Sequence, residues 1–199
     1  VRGQTSSAFP TTLSAVTPDR VTEARVIGAV EDERITSLTT QGNSLVLRHR
    51  PKTPGQKIVG VAIGWRHVNE TAASFRKYLI AEGAEAALHH YDRTGELPTA
   101  DIGRRHAGSG PRAFDRIVGH PLEFVPLSDP GAGTVVPVRI RLTFQGKSLG
   151  GVRVHAGKAP VSGQKETELS LTTASDGVVS VPADGGLWNV RTIHVVPAP

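Results

Sequence analysis

The chain holds eight histidines and no cysteine, so a transition metal bound here would rest on imidazoles supported by carboxylates, with no thiolate to help. Three histidines stand where such a site could form. His89 and His90 are adjacent near the end of "NETAASFRKYLIAEGAEAALHHYDRTGE" (69–96), and His67 precedes that stretch. Neighbours on a helix point about 100° apart, so one ion cannot use both His89 and His90 without a further donor. A carboxylate such as Glu82 or Asp92 could supply it, and a helix folded back over a sheet could bring His67 into reach. The His89/His90 end is favoured because it leads directly into an irregular segment, where open coordination is easiest to build.

The other histidines read differently. In "HPLEFVPLSDP" (120–130), His120 and Glu123 are three apart, but Pro121 opposes a helix, and in a strand the two face opposite sides. His155 shares a polar strand face with Arg153, which implies the surface. His194 has the parity of Trp188 and Val190, which implies an inward, hydrogen-bonded core histidine. Catalytic signatures are missing: the chain has no G-x-S-x-G, H-E-x-x-H or G-x-G-x-x-G. "GKS" (146–148) has Arg141 where a phosphate loop needs its first glycine.

These residues must be positioned by 199 residues with 22 Gly, 14 Pro, abundant valine and few aromatics, the profile of a β-rich globular chain. The absence of cysteine suits an oxidising compartment. The start, "VRGQTSSAFPTT", reads as trimmed, consistent with removal of an export signal, and no run is long enough to span a membrane. The formal net charge of +5 is dispersed. Its one cluster, Arg104, Arg105, His106, Arg112 and Arg116, lacks the dense stripe and interleaved aromatics of a nucleic-acid binder and reads as a solvated loop.

The pattern predicts a mainly β protein of two domains. Residues 1–118 read as an N-terminal β-sheet domain with a helical insertion: strands at 21–30, 43–51 and 55–66, the last apolar on both faces and therefore central. A helix at about 70–92 carries Phe75, Tyr78 and Leu79 at helical spacing. Asn69 or Thr71 can cap it, Gly83 breaks it and Gly95 ends it. Residues 97–117 form a loop without periodicity. Residues 119–199 read as an Ig-like or transthyretin-like antiparallel β-sandwich. It opens with an edge strand bounded by Pro121, Pro126 and Pro130. Strands follow at 135–144, 150–157, 166–173 and 185–196, with a tight Asp176-Gly177 hairpin between Leu171 and Val179.

"FRKYLIAEGAEAAL" (75–88), "VGHPLEFVPLSDP" (118–130), "FQGKSLGGVRVHAG" (144–157) and "TTASDGVVSVPADGGLWNVRTIHVVPA" (172–198) resemble, in this order, a family of exported bacterial proteins. It is a domain of unknown function once described as a nickel-uptake substrate-specific component, and the resemblance covers roughly residues 20–198. It implies a periplasmic, secreted or cell-surface protein with a transthyretin- or carboxypeptidase-regulatory-like C-terminal module and a metal-related transport or binding role. The N-terminal histidine, acidic and aromatic residues common in that family have no counterpart here. The expected function is a non-enzymatic envelope binding protein for a divalent transition metal (nickel, cobalt, copper or zinc). Its partners would be the metal ion or envelope transport and surface proteins, with no nucleic acid and no membrane span in this chain. The alternatives are a structural or adhesive surface module without metal, and a hydrolase with a site in 97–117. The transthyretin-like hydrolases that open a hydroxyisourate ring end in Tyr-Arg-Gly-Ser, whereas this chain ends in Ala-Pro.

Overall fold

A computed structural model describes residues 2–3, 16–64, 70–95, 104–109, 117–128, 137–160, 167–184 and 186–196. It is mainly β, with several antiparallel sheets and two short helices. The first part of the chain forms β1 (Arg2–Gly3), β2 (Val21–Ile27), β3 (Asp32–Arg34), β4 (Ser37–Gln41), β5 (Ser44–Arg48), β6 (Lys57–Ile63), α1 (Ala72–Glu82), α2 (Glu85–Thr94) and β7 (Arg104–Ser109). One sheet has the order β3-β2-β6-β7 and another the order β1-β5-β4.

Side-chain alternation explains how these sheets pack. Ala24 and Val26 of β2, Leu45 and Leu47 of β5 and Val59 of β6 share one apolar cluster with Val16 and Ile35. Ile27 and Ile58 form a smaller cluster with Val118. The run 55–66 reads apolar on both faces because both faces of β2 and β6 are covered. Gly60 is required there: a Cβ would lie 2.8 Å from Val118 Cγ1 and 3.2 Å from His120 Nε2. The chain crossing at 117–120 can lie close to β6 only because position 60 has no side chain.

The helical segment is broken where glycine sits. Thr71 Oγ1 accepts from Ser74 N at 3.2 Å and starts α1, and left-handed Gly83 (φ 67°) and Gly95 (φ 71°) end α1 and α2. The alternative cap, Asn69, lies outside the described residues. Besides the short β1 and β3, two strands depart from expectation. β4, with mostly exposed Ser, Thr and Gln, is held by its pairing to β5, with Leu38 as its one side chain packed against the apolar cluster. Within the expected loop 97–117, residues 104–109 form β7, paired to β6 from Ala62↔Arg104 to Lys57↔Ser109. An edge strand is fixed by its backbone ladder and needs no apolar alternation, so "RRHAGS" gave no strand signal.

The second part forms β8 (Leu122–Pro126), β9 (Val138–Phe144), β10 (Lys147–Ser148), β11 (Arg153–Lys158), β12 (Thr167–Thr172), β13 (Val178–Val181) and β14 (Trp188–Arg191). β9 pairs with β8, β10 and β13, while β11 lies between β12 and β14. Alternation on β9 is as expected, with Val138, Ile140 and Leu142 buried. Residues of both sheets share one apolar cluster: Val138, Ile140, Val179 and Val181 with Val154 and Ala156, flanked by Phe124, Leu171, Trp188 and Val190.

The Asp176-Gly177 turn needs correction. It is tight, with Ala174 N donating to Val178 O at 2.8 Å and Asp176 Oδ1 accepting from Val178 N at 3.0 Å. Its flanking strands are not paired, however: β12 pairs with β11 and β13 with β9. The turn carries the chain from one sheet to the other, and no pattern within a strand specifies its partner. Gly177 has φ 78°, and a Cβ there would lie 2.7 Å from Leu142 O and 3.0 Å from Leu149 N. Gly177→Ala should therefore cost about 2 kcal/mol or more in chemical denaturation, the left-handed backbone penalty plus displaced backbone. Gly42→Ala (φ 53°, nothing within 4 Å) should cost about 1 kcal/mol. Equal costs at the two positions would contradict the close approach at Gly177.

Candidate functional site

Among the described residues, the donor atoms that converge are not those of His89 and His90. His89 is exposed and His90 half-buried on α2. The two carboxylates proposed to complete their site have guanidinium partners. Arg76 Nε and Nη2 donate to Asp92 Oδ1 and Oδ2, each at 3.0 Å. This guanidinium holds the Asp92 carboxyl below the usual range. Arg191 Nη1 donates to both oxygens of Glu82 at 3.0 and 2.7 Å. His67 lies outside the described residues, as do 97–103 and 110–116.

Donor atoms do converge at Glu31, Glu33 and His49, which lie within 4.8 Å of one another, and among the described residues this is the group that could share an ion. The local fold builds it simply. After β2 the chain turns, with Gly28 N donating to Glu31 O at 2.6 Å. Alternation then places Glu31 and Glu33 on one side and Asp32 on the other, where Arg25 binds it through Nε at 3.1 Å and Nη2 at 2.6 Å. The segment after β5 wraps around the Glu31 carboxylate, whose side chain is 2% exposed. Glu31 contacts His49 Nε2 at 3.1 Å and accepts from Lys52 N at 3.2 Å, Thr53 Oγ1 at 3.1 Å and Lys57 Nζ at 2.7 Å. The Lys57 bond above all, then His49, holds the Glu31 carboxyl at about 2, against the opposing effect of burial. Lys52 Nζ lies 2.5 Å from Glu33 Oε1.

Chemically, this is one imidazole nitrogen with carboxylate oxygens, a donor set suited to divalent first-row metals. Two ammonium groups currently balance the two carboxylates. They differ in mobility: the Lys57 side chain is 10% exposed and Lys52 is 72% exposed. A divalent ion between His49 and Glu33 would replace Lys52 and leave Lys57 in place. Sequence reasoning missed the group because its histidine is 16 residues or more from the carboxylates. The readable trace was the Glu-x-Glu spacing at 31–33 in a segment entering a strand.

Four other residues are placed differently from expectation or more fully. Glu123, buried on β8, accepts from Val118 N at 2.6 Å and Gly119 N at 3.0 Å. Within "HPLEFVPLSDP", Leu122–Pro126 is thus a strand whose carboxylate fixes the crossing before it, and His120 is buried beside Gly60. His155 does share the outward face of β11 with Arg153, but it is buried, because α1 ends over that face. His194 packs edge-on against Phe144 at 4.6 Å, and burial pushes its imidazole below the usual range.

A family model described as a domain of unknown function (DUF4198) matches residues 106–196. No curated protein and no solved structure matches the chain. The family match includes β8 to β14 and excludes Glu31, Glu33, His49 and both helices. No helix among the described residues is long and apolar enough to cross a membrane.

The Glu31 carboxyl lies near 2 in the folded chain against 4.5 ordinarily. The folded state therefore binds this proton less readily than the unfolded state. The stabilisation is present above pH 4.5 and is lost as pH falls toward about 2. Glu31→Gln should lower stability at neutral pH and flatten the acid limb of the stability profile. Wild-type and variant profiles that run parallel across that interval would contradict the assignment.

Proposed function

We propose that this chain is a non-enzymatic envelope protein, periplasmic or at the cell surface, that binds a divalent transition metal (nickel, cobalt, copper or zinc) as cargo for uptake. The observation that carries the reading is the convergence of His49, Glu31 and Glu33 within 4.8 Å. Exchange of the exposed Lys52 ammonium for the ion supplies a loading route that leaves the buried Lys57–Glu31 pair intact. The C-terminal sheets, with their shared apolar cluster, support reading 119–199 as a second, transthyretin-like sandwich domain. That domain would present the protein to envelope transport or surface partners.

A second reading is a structural or adhesive surface module without metal. It is favoured by the lysines, which already neutralise both carboxylates. Of the segment 97–117 that could instead hold a hydrolase centre, the described residues 104–109 form β7.

Elemental analysis of the purified protein and calorimetric titration with nickel, cobalt, copper and zinc separate these readings. Stoichiometric binding is expected, abolished by His49→Ala or Glu33→Gln and unchanged by the double substitution His89→Ala/His90→Ala. Loss only in the double variant would move the site to α2. No binding of any of the four ions would leave the structural module.

A further inference from the structure

We propose that Glu31 is a positioning residue and not a ligand: it holds the His49 ring by its Nε2–H, so that Nδ1 of His49 and the Glu33 carboxylate are the protein groups that meet the ion. This rests on the metal-binding reading above and names the atoms that do the binding. Of the three converging residues, Glu31 has no acceptor site left. A carboxylate offers about four lone-pair positions, and here each oxygen already has two donors. Oε1 faces His49 Nε2 at 3.1 Å and accepts from Lys52 N at 3.2 Å. Oε2 accepts from Thr53 Oγ1 at 3.1 Å and from Lys57 Nζ at 2.7 Å.

These donors do not leave readily. The Glu31 side chain is 2% exposed and that of Lys57 10%. Lys57 Nζ also donates to Thr53 Oγ1 at 2.7 Å. A Cβ at Gly28 would lie 2.6 Å from the same nitrogen, so the ammonium fills a space that the missing side chain leaves. An ion bonded to Glu31 would have to expel one of the four donors and leave it without its partner. At Glu33, which is 30% exposed, the ion displaces only the Lys52 ammonium, and that side chain, 72% exposed, passes into water.

The contact to His49 fixes the chemistry of its ring. A carboxylate only accepts, so the nitrogen that faces it carries the hydrogen. In the neutral imidazole the lone pair is then on Nδ1, and a metal binds the lone pair. A carboxylate that takes one ring N–H while the other nitrogen takes the metal sets the tautomer and orientation and makes the ligand more basic. With one imidazole nitrogen and one carboxylate from the chain, the remaining positions of the ion are open to water, as suits a cargo that must be released.

Long-range proton–nitrogen correlation spectra of the isotope-labelled full chain at about pH 8, where imidazoles are ordinarily neutral, read which ring nitrogen is protonated. The signal absent from His49→Gln belongs to His49. The zinc-free ring should carry its hydrogen on Nε2, and added zinc should shift Nδ1. Glu31→Gln, whose amide can accept from the ring or donate to it, should mix the two tautomers and weaken zinc binding about 10–100-fold. Thr53→Val, which removes a different donor of Glu31, should leave the tautomer as it is. A hydrogen on Nδ1, zinc on Nε2, or complete loss of zinc binding in a folded Glu31→Gln would overturn the positioning role, while leaving metal binding by the wild-type chain in place. A ring protonated on Nε2 that does not respond to zinc would instead overturn the metal-binding reading, and the ligand role of Nδ1 with it. Should Glu31→Gln fail to fold, the wild-type spectra decide alone.

Discussion

A carboxylate taken out of water must collect donors, and this requirement decides where several connecting segments of the chain lie. Leaving a buried carboxylate unsatisfied would cost more than the ~1–3 kcal/mol of a neutral polar group. Glu31 meets it by drawing in the whole segment after β5, through His49, Lys52, Thr53 and Lys57. Glu123 meets it with the backbone amides of Val118 and Gly119, which directs the crossing chain onto β6. In each case a strand fixes the acid and a loop closes around it.

The same constraint acts between the helices and the C-terminal sheet, through Glu82 and Arg191, 109 residues apart in sequence. A planar guanidinium can serve two carboxylates at once, as Arg191 does for Glu82 and Glu168, where a lysine would act as a point charge. Gly83 belongs to this contact as well. Its left-handed turn ends α1, and a Cβ there would lie 2.4 Å from Arg153 Nε, so a side chain at 83 would strain the backbone and also make the arginine shift.

Elements specified by their own side-chain period were legible in the sequence: β2, β5, β6, β9 and the helix broken at Gly83. Their faces follow from alternation and from glycine's conformational freedom. Two kinds of feature were not. Edge strands β4 and β7 exist because a neighbour offers a backbone ladder, which a polar or small-residue segment can accept without displaying any period. Contacts on the polar face of a strand were also hidden. The parity of His155 was read correctly, but its burial depends on a helix from a distant part of the chain. For the same reason the grouping of Glu31, Glu33 and His49, 16 residues or more apart from acid to histidine, was not legible.

X-ray absorption at the edge of a bound metal tests the functional account most directly, because it counts imidazoles. With zinc or nickel loaded into the intact chain, the account predicts a single imidazole among oxygen donors, unchanged by His89→Ala/His90→Ala, since His49 is the one histidine in the Glu31–Glu33 group. A first shell with two or more imidazoles, or a spectrum of the hydrated ion alone, would contradict it.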